Sequence, residues 1–161
     1  MGRTTIAEYE WLIAQAFAGD DEHSLMANLA SLADDEWGRT PGLAQRSVAG
    51  IVAHVAAAKH AYAESALGRG RRTFAEALHH APRERDALVA WLRQGHERLL
   101  ALLAPLDDDA LASPRPTHWG EQIPLRRVLA VLVEHDLYHA GEINHLRALL
   151  QGDDEWPGAR D

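Results

Sequence analysis

The sequence predicts an all-α protein, a four-helix bundle preceded by one additional helix. Apolar residues recur at spacings of three and four rather than two. Ala and Leu dominate while Val and Ile are few, which favours helix over strand. Clusters of Gly, Pro and Asp fall between the periodic runs, where helices must end. The chain has 161 residues, 47% of them apolar, enough for one domain with its own core. That domain divides into a leading helix over 1–19, a bundle core over 20–150 and a tail over 151–161.

Ile6, Tyr9, Ile13, Ala16 and Phe17 share a face and define the leading helix, which Gly19-Asp20-Asp21 ends. Leu25, Met26, Leu29 and Leu32 form the stripe of a second segment. Gly38 to Gly42, with Pro41, reads as a loop. A long helix follows from about Arg46 to Leu67, stopped by Gly68-Arg69-Gly70. Thr73 to His80 is one short helix. Pro82 suits the first position of another long helix, which carries Leu88, Trp91, Leu92, Leu99, Leu102 and Leu103 and ends near Pro105. Asp107 to Trp119 holds aspartates and prolines and is expected to be irregular. Pro124 opens the last helix, which runs to Leu150 ahead of Gly152.

The formal charge is −8, so an acidic surface repels phosphate backbones and nucleic-acid binding is not expected. No run of about 18 apolar residues is present, so no membrane span is expected. Glu8 and Glu10 interrupt the first apolar patch, so it does not read as a signal peptide, and the expected location is the cytoplasm. There is no cysteine, which excludes disulfides, thiolate metal ligands and a protein thiol nucleophile.

The chain carries 10 histidines, and their positions on helix faces matter more than their number. At 100° per residue, the last helix puts Val128, Val131, Leu132, His135, Tyr138, His139, Glu142, Leu146 and Leu149 on one face. Arg126, Arg127, Val133, Asn144 and Arg147 fall on the flanks or back. His135 and His139 therefore point inward one turn apart, with Cβ atoms about 5–6 Å from each other, close enough to share an ion. Glu142 follows on the same stripe. Burying two imidazoles beside a carboxylate is unfavourable without partners, and a cation removes the conflict. An isolated His-x-x-x-His pair would favour the plainer reading of a wet cleft.

The helix from Arg46 to Leu67 adds weight to the metal reading. Its inward face holds Ser47, Ile51, His54, Ala58, Ala61, Tyr62 and Ser65. His54 is the only ionisable nitrogen there, and small residues leave volume beside it. Three imidazoles are the usual protein share of an open metal site. Gly95 lies within the Pro82 helix, where Gly costs about 1 kcal/mol relative to Ala, so a packing or functional reason is expected. Ala58, Ala61, Tyr62 and Gly95 are the expected pocket lining, with Arg115, His118 and Trp119 at its mouth. His60 is expected to project away from His54 into solvent. His79, His80, His96 and His145 read as surface or boundary residues.

Two stretches resemble those of the DinB-like superfamily: Ile51-Val52-Ala53-His54-Val55, and far downstream Glu134-His135-Asp136-Leu137-Tyr138-His139-Ala140-Gly141-Glu142-Ile143. This is the bundle family of metal-dependent enzymes, not the lesion-bypass polymerase of similar name. The resemblance spans roughly Asp20 to Leu150. It implies an up-up-down-down bundle in which His54, His135 and His139 bind zinc or nickel. Characterised relatives include bacillithiol S-transferases and a mycothiol-dependent maleylpyruvate isomerase.

On that basis the expected function is metal-dependent chemistry on a small molecule, such as thiol-dependent transfer or isomerisation, with Glu142 as a catalytic or orienting group. A bound cation lowers the pKa of a coordinated thiol or water. Without a protein cysteine, any thiol must be a cosubstrate. The alternatives are a metal-dependent hydrolase and a non-catalytic metal- or ligand-binding bundle. Closure of the site by a fourth protein ligand, such as Glu142, would favour the last. Trp11, Leu12 and the leading helix offer more apolar surface than one core stripe needs, so a homodimer is expected.

Overall fold

The computed structural model describes residues 4–42, 46–68 and 70–153. The tail from residue 154 onward, and Arg69 of the expected helix stop, lie outside them. The described residues are overwhelmingly helical, as the periodicity requires. Helix α1 spans Ile6–Ala14 and continues through a π-helical turn, Gln15–Gly19. Thr5 and Glu8 cap its start reciprocally, satisfying two amide donors that the first turn leaves free. Helix α2 is short, Leu25–Ala30, capped by Ser24. Helix α3 spans Val48–Tyr62, capped by Ser47, and ends in a second π-helical turn, Ala63–Leu67.

Helix α4, Phe74–His79, is the short connector expected from the sequence. Helix α5 spans Arg85–Leu103 with Glu84 as N-cap, so Pro82 lies ahead of the helix rather than in its first turn. Its ring cannot donate a backbone bond, and the chain turns at His80–Ala81 before helix begins. Helix α6, Leu125–Gln151, starts at Pro124 and ends at Gly152, whose φ of 74° closes the terminus in the left-handed region.

The segment expected to be irregular is more ordered than that. A 3₁₀ turn covers Asp108–Ala112, and β1 (Pro114–Pro116) pairs antiparallel with β2 (Gln122–Pro124). The hairpin is too short for alternation to reveal it. Thr117 closes its turn, with Oγ1 accepting from Glu121 N at 2.9 Å and donating to Glu121 O at 3.1 Å. His118 and Trp119 ride on that turn.

Contacts fix the directions of the helices. Residues 59 and 60 of α3 and 64 of the π-helical turn that continues it meet 95, 91 and 98 of α5, so α3 and α5 run parallel. Residues 46, 54 and 59 meet 142, 135 and 136, so α6 runs antiparallel to α3. Trp11 and Leu12 lie beside Val133 and Leu137, and Ser31 meets Gln151, so α1 and α2 run with α6. The all-α bundle stands, but its order of directions is up-down-down-up rather than up-up-down-down. The physical reason is the α4 connector, which carries the chain back between two parallel helices.

Helix α3 is enclosed by α4, α5 and α6. Its face away from the histidines is therefore not a solvent face. His60, expected in water, is buried: its ring stacks on Trp91 at 4.4 Å and its Nε2 lies 3.0 Å from Trp91 O. On α6 the buried stripe is centred on Leu129, Leu132, Asp136, Ala140 and Ile143, slightly round from the expected face. Tyr138 and Leu149 are accordingly exposed, while Arg147 is buried and bonds Asn144, Gln151 and Asp153. His96 is also buried, its ring stacked on Phe17 at 3.8 Å.

The core falls into two apolar clusters. One gathers Val48 to Ala56, Leu88, Leu92, Ala140, Ile143 and the α2 leucines. The other gathers Ala58 to Ala66, Leu99, Leu103, Leu125 to Leu132 and the α1 isoleucines. Between them runs a polar seam of His54, Lys59, His96, His135, Asp136 and His139. In that seam Lys59 Nζ meets Asp136 Oδ2 at 2.6 Å, each side chain 1% exposed. Burial pushes the Asp136 carboxyl upward, and the Lys59 ammonium opposes that shift. Lys59 also lies 5.0 Å from the Phe17 ring centre, a cation–π contact.

Removing one partner of such a pair strands a buried charge, whereas replacing both with apolar groups does not. Lys59→Met should therefore lower the unfolding free energy by about 3–5 kcal/mol, and Lys59→Met/Asp136→Leu should regain most of that loss. Urea unfolding of the three proteins measures it. A single variant as stable as the parent chain would show that the pair contributes little.

Candidate metal centre

His54 comes from the middle of α3, and His135 and His139 from successive turns of α6. Antiparallel packing of the two helices brings all three into the seam. His54 Nε2 and His135 Nε2 are 3.1 Å apart. One nitrogen from each of the three rings lies within 4.8 Å of the others. Two donors bonded to one tetrahedral ion at about 2.0–2.1 Å would be about 3.3 Å apart, so the His54–His135 pair stands close to chelating separation.

The third ring is oriented by a carboxylate. His139 donates from Nδ1 to Glu142 Oε2 at 2.7 Å, because a carboxylate can only accept. That bond leaves Nε2 with its lone pair for an ion, the arrangement common behind metal-binding histidines. Arg46, just ahead of α3, donates to Glu142 Oε1 at 2.9 Å. Both Glu142 oxygens are thus engaged, and among the described residues the group placed to hold a metal ion is the three histidines.

Electrostatics favour neutral rings. Burial pushes His54 down to about 4 and His135 down to about 3, with the neighbouring imidazoles adding to the shift. Burial also lowers His139, partly offset by Glu142. Neutral imidazole is the form that binds metal. Two His Nε2 atoms at 3.1 Å need either a shared proton or a cation between them, and a cation uses both lone pairs. On geometry, charge state and donor type, the residues fit a divalent ion.

A cleft of about 430 Å³ opens onto His54 and His135, lined also by Ala58, Tyr62, Phe74, His118 and Trp119. The structure therefore brings Tyr62, His118 and Trp119 together beside the triad. Gly95 lies elsewhere: a Cβ there would sit 3.1 Å from the His60 ring and 3.2 Å from Lys59 Cβ. Its role is close packing of α5 on α3, not room for a ligand. Ala61 likewise packs with Ala57 and Ala77 under α4. Arg115 is not among the lining residues.

Phe74, Arg46 and the Lys59–Asp136 pair are absent from the sequence reading of the site. Phe74 leans on His54 with ring centres 5.0 Å apart. Its only sequence signal is an apolar residue after the Thr73 cap of a short connector. Arg46 carries no signal, since its partner lies 96 positions away.

A sequence profile of the DinB superfamily matches residues 20–143, well over half of the chain and both histidine-bearing stretches. The chain belongs to the DinB superfamily. No curated protein matches it significantly. Within this DinB-superfamily chain the profile takes in α2 to most of α6 and leaves α1 outside, although Ile6 and Ile13 of α1 are buried in the second apolar cluster.

Alanine at His54, His135 or His139 should each abolish stoichiometric metal, measured by elemental analysis of protein purified without an affinity tag. Unchanged content in His139→Ala would remove that residue from the centre. Glu142→Gln should keep the fold and weaken metal binding about tenfold or more, as loss of an orienting partner does. The pH dependence of the metal-free protein has a definite sign. The folded histidines titrate below their ordinary 6.5, so as the pH falls the unfolded chain takes up protons first. The stabilisation is present above about 6.5 and is lost as the pH falls toward about 4. Melting temperature followed from neutral to about pH 4.5 should decline, and a flat profile would contradict the burial of these rings.

Proposed function

We propose that the chain is a metal-dependent enzyme acting on small molecules, a transferase or isomerase that uses a low-molecular-weight thiol as cosubstrate. The observation that carries this reading is an open centre. Three neutral imidazoles converge beside a cleft, while Glu142 is engaged by His139 Nδ1 and Arg46 and Asp136 by Lys59. A fourth protein ligand would make the site structural, while three with an approach path suit catalysis. Zinc and nickel both suit imidazole donors.

A divalent ion held there would supply Lewis acidity, lowering the pKa of a thiol or water brought to it. The rest falls to the chain's own residues. Glu142 keeps the Nδ1 proton on His139, and Arg46 keeps Glu142 in place. The apolar cleft walls exclude water from the approach to His54 and His135. No cysteine is available, so the thiol must come from solution. An active-site carboxylate fully engaged by two donors is placed to orient, and Glu142→Gln separates that role from proton transfer. Turnover that keeps its pH profile while metal affinity falls indicates orientation.

The competing outcome is hydrolysis. Metal-loaded protein is incubated with a panel of electrophiles, with and without mycothiol, bacillithiol or glutathione. Turnover should require both the metal and one of the thiols. Turnover that needs the metal but no thiol would replace this reading with a hydrolase. No turnover, with a cobalt-substituted spectrum untouched by every thiol, would leave a non-catalytic binding bundle.

We also propose that two copies pair through the outer face of α1 and α6. Trp11 is 62% exposed, Leu12 and Leu137 are exposed beside it, and Tyr138 is exposed on α6. Light scattering at micromolar concentration should give twice the chain mass of 17.8 kDa, and Trp11→Glu should halve it. A parent chain already monomeric would refute pairing.

A further inference from the structure

We infer that the cleft beside the triad takes an uncharged aromatic molecule carrying an acceptor oxygen, and that the Tyr62 hydroxyl holds that oxygen. This deepens the reading of the cleft as a substrate site and rests on it. The cleft walls are the starting observation. Tyr62, Phe74, His118 and Trp119 supply aromatic surface, Ala58 supplies a small apolar floor, and among the described residues no Asp, Glu, Lys or Arg lines the space. A carboxylate or ammonium entering it would lose water without gaining a counter-charge.

The rings of Tyr62, His118 and Trp119 stand close to right angles to one another. His118 meets Tyr62 at 79° with centres 5.0 Å apart, and Trp119 meets Tyr62 at 84° and 6.0 Å. Such walls offer an edge and a face to a flat guest, the two arrangements aromatic pairs favour. Trp119 is held by its own donation from Nε1 to Glu121 Oε2 at 2.9 Å. At about 430 Å³ the space is at the lower end of the range for small-ligand sites.

Tyr62 provides the second, independent observation. It is 3% exposed, yet its hydroxyl makes no hydrogen bond among the described residues. Nor is that oxygen sealed in, as Trp37 Nε1 and His96 Nδ1 are. Buried tyrosine hydroxyls usually have a partner, because an unmet donor is unfavourable. No described residue supplies one here, which leaves the position to a guest or a water molecule. Burial raises the phenol to about 12, so it is a donor at neutral pH. Arg127 is the cation within its field, but that guanidinium is turned to Glu134 on the surface, at 2.7 Å.

Three probes of one shape test this: acetophenone, ethylbenzene and benzoate. Each is titrated by ligand-observed NMR into the full-length chain, metal-free and metal-loaded, and into Tyr62→Phe. Acetophenone should bind the metal-free chain about two- to tenfold more tightly than ethylbenzene, the range one net hydrogen bond gives. Benzoate should be weakest. Tyr62→Phe should erase the acetophenone advantage and leave ethylbenzene unchanged, which also shows that the cleft has kept its shape. Benzoate binding as well as acetophenone, an acetophenone advantage that survives in Tyr62→Phe, or no saturable binding by any probe would each overturn the inference. The metal-free arm keeps this test apart from the proposed reaction. Probe binding without metal uptake or turnover would sink the reaction and leave the ligand class standing, and the reverse result would do the opposite.

Discussion

The buried Lys59–Asp136 ion pair is the constraint on which the rest of the centre depends. It ties α3 to α6 at a single register, through side chains that are both closed to solvent. His54 lies five positions before Lys59, and His135 one position before Asp136. Slipping α6 by one residue would turn Asp136 away from Lys59 and, with the same rotation, His135 away from His54. An apolar contact at that place would tolerate several registers, because dispersion is not directional. A charged pair in a low-dielectric interior tolerates only the one that joins its partners.

The pair sits in a seam that interrupts an otherwise apolar core. Two hydrophobic clusters, one on each side, hold the helices together by burial. The seam gives up some of that stabilisation and gathers donor nitrogens in its place. Its histidines are kept neutral by desolvation, and neutral imidazoles packed edge to edge have lone pairs with nowhere favourable to point. A cation resolves this in a way that no apolar substitution within reach would. Apolar packing and the cluster of donor nitrogens thus occupy different layers of the same bundle.

The residues around the triad act by holding rather than by reacting. Arg46 fixes Glu142, Glu142 fixes the tautomer of His139, and the β1–β2 turn fixes His118 and Trp119 over Tyr62. The π-helical turn after Tyr62 comes where α3 passes that hairpin, a place where such turns often accompany functional sites. Helix α1 belongs to the same body even though the family profile begins after it. Ile6 N donates to Asp108 Oδ1 at 2.8 Å, and Phe17 covers both His96 and Lys59.

Periodicity by itself determined the all-α class, the order of the helices and nearly all of their ends, since caps and breakers act within a few residues. It also determined that His54, His135 and His139 would face inward, because a helix repeats every 3.6 residues whatever surrounds it. Which faces are covered is a different matter, and only the tertiary structure decided it. His60 lies inside because α4 and α5 close over the back of α3, and Arg147 because α2 does so over α6. Gly95 admits a neighbouring helix instead of a ligand. Phe74, Arg46 and Asp136 join the centre through partners tens of residues away, and no local pattern encodes such a pairing. The two-stranded hairpin escaped notice because three residues are too few for a period of two to show. A sequence fixes what a helix presents through its own backbone geometry, but what meets that surface depends on the packing of the whole chain.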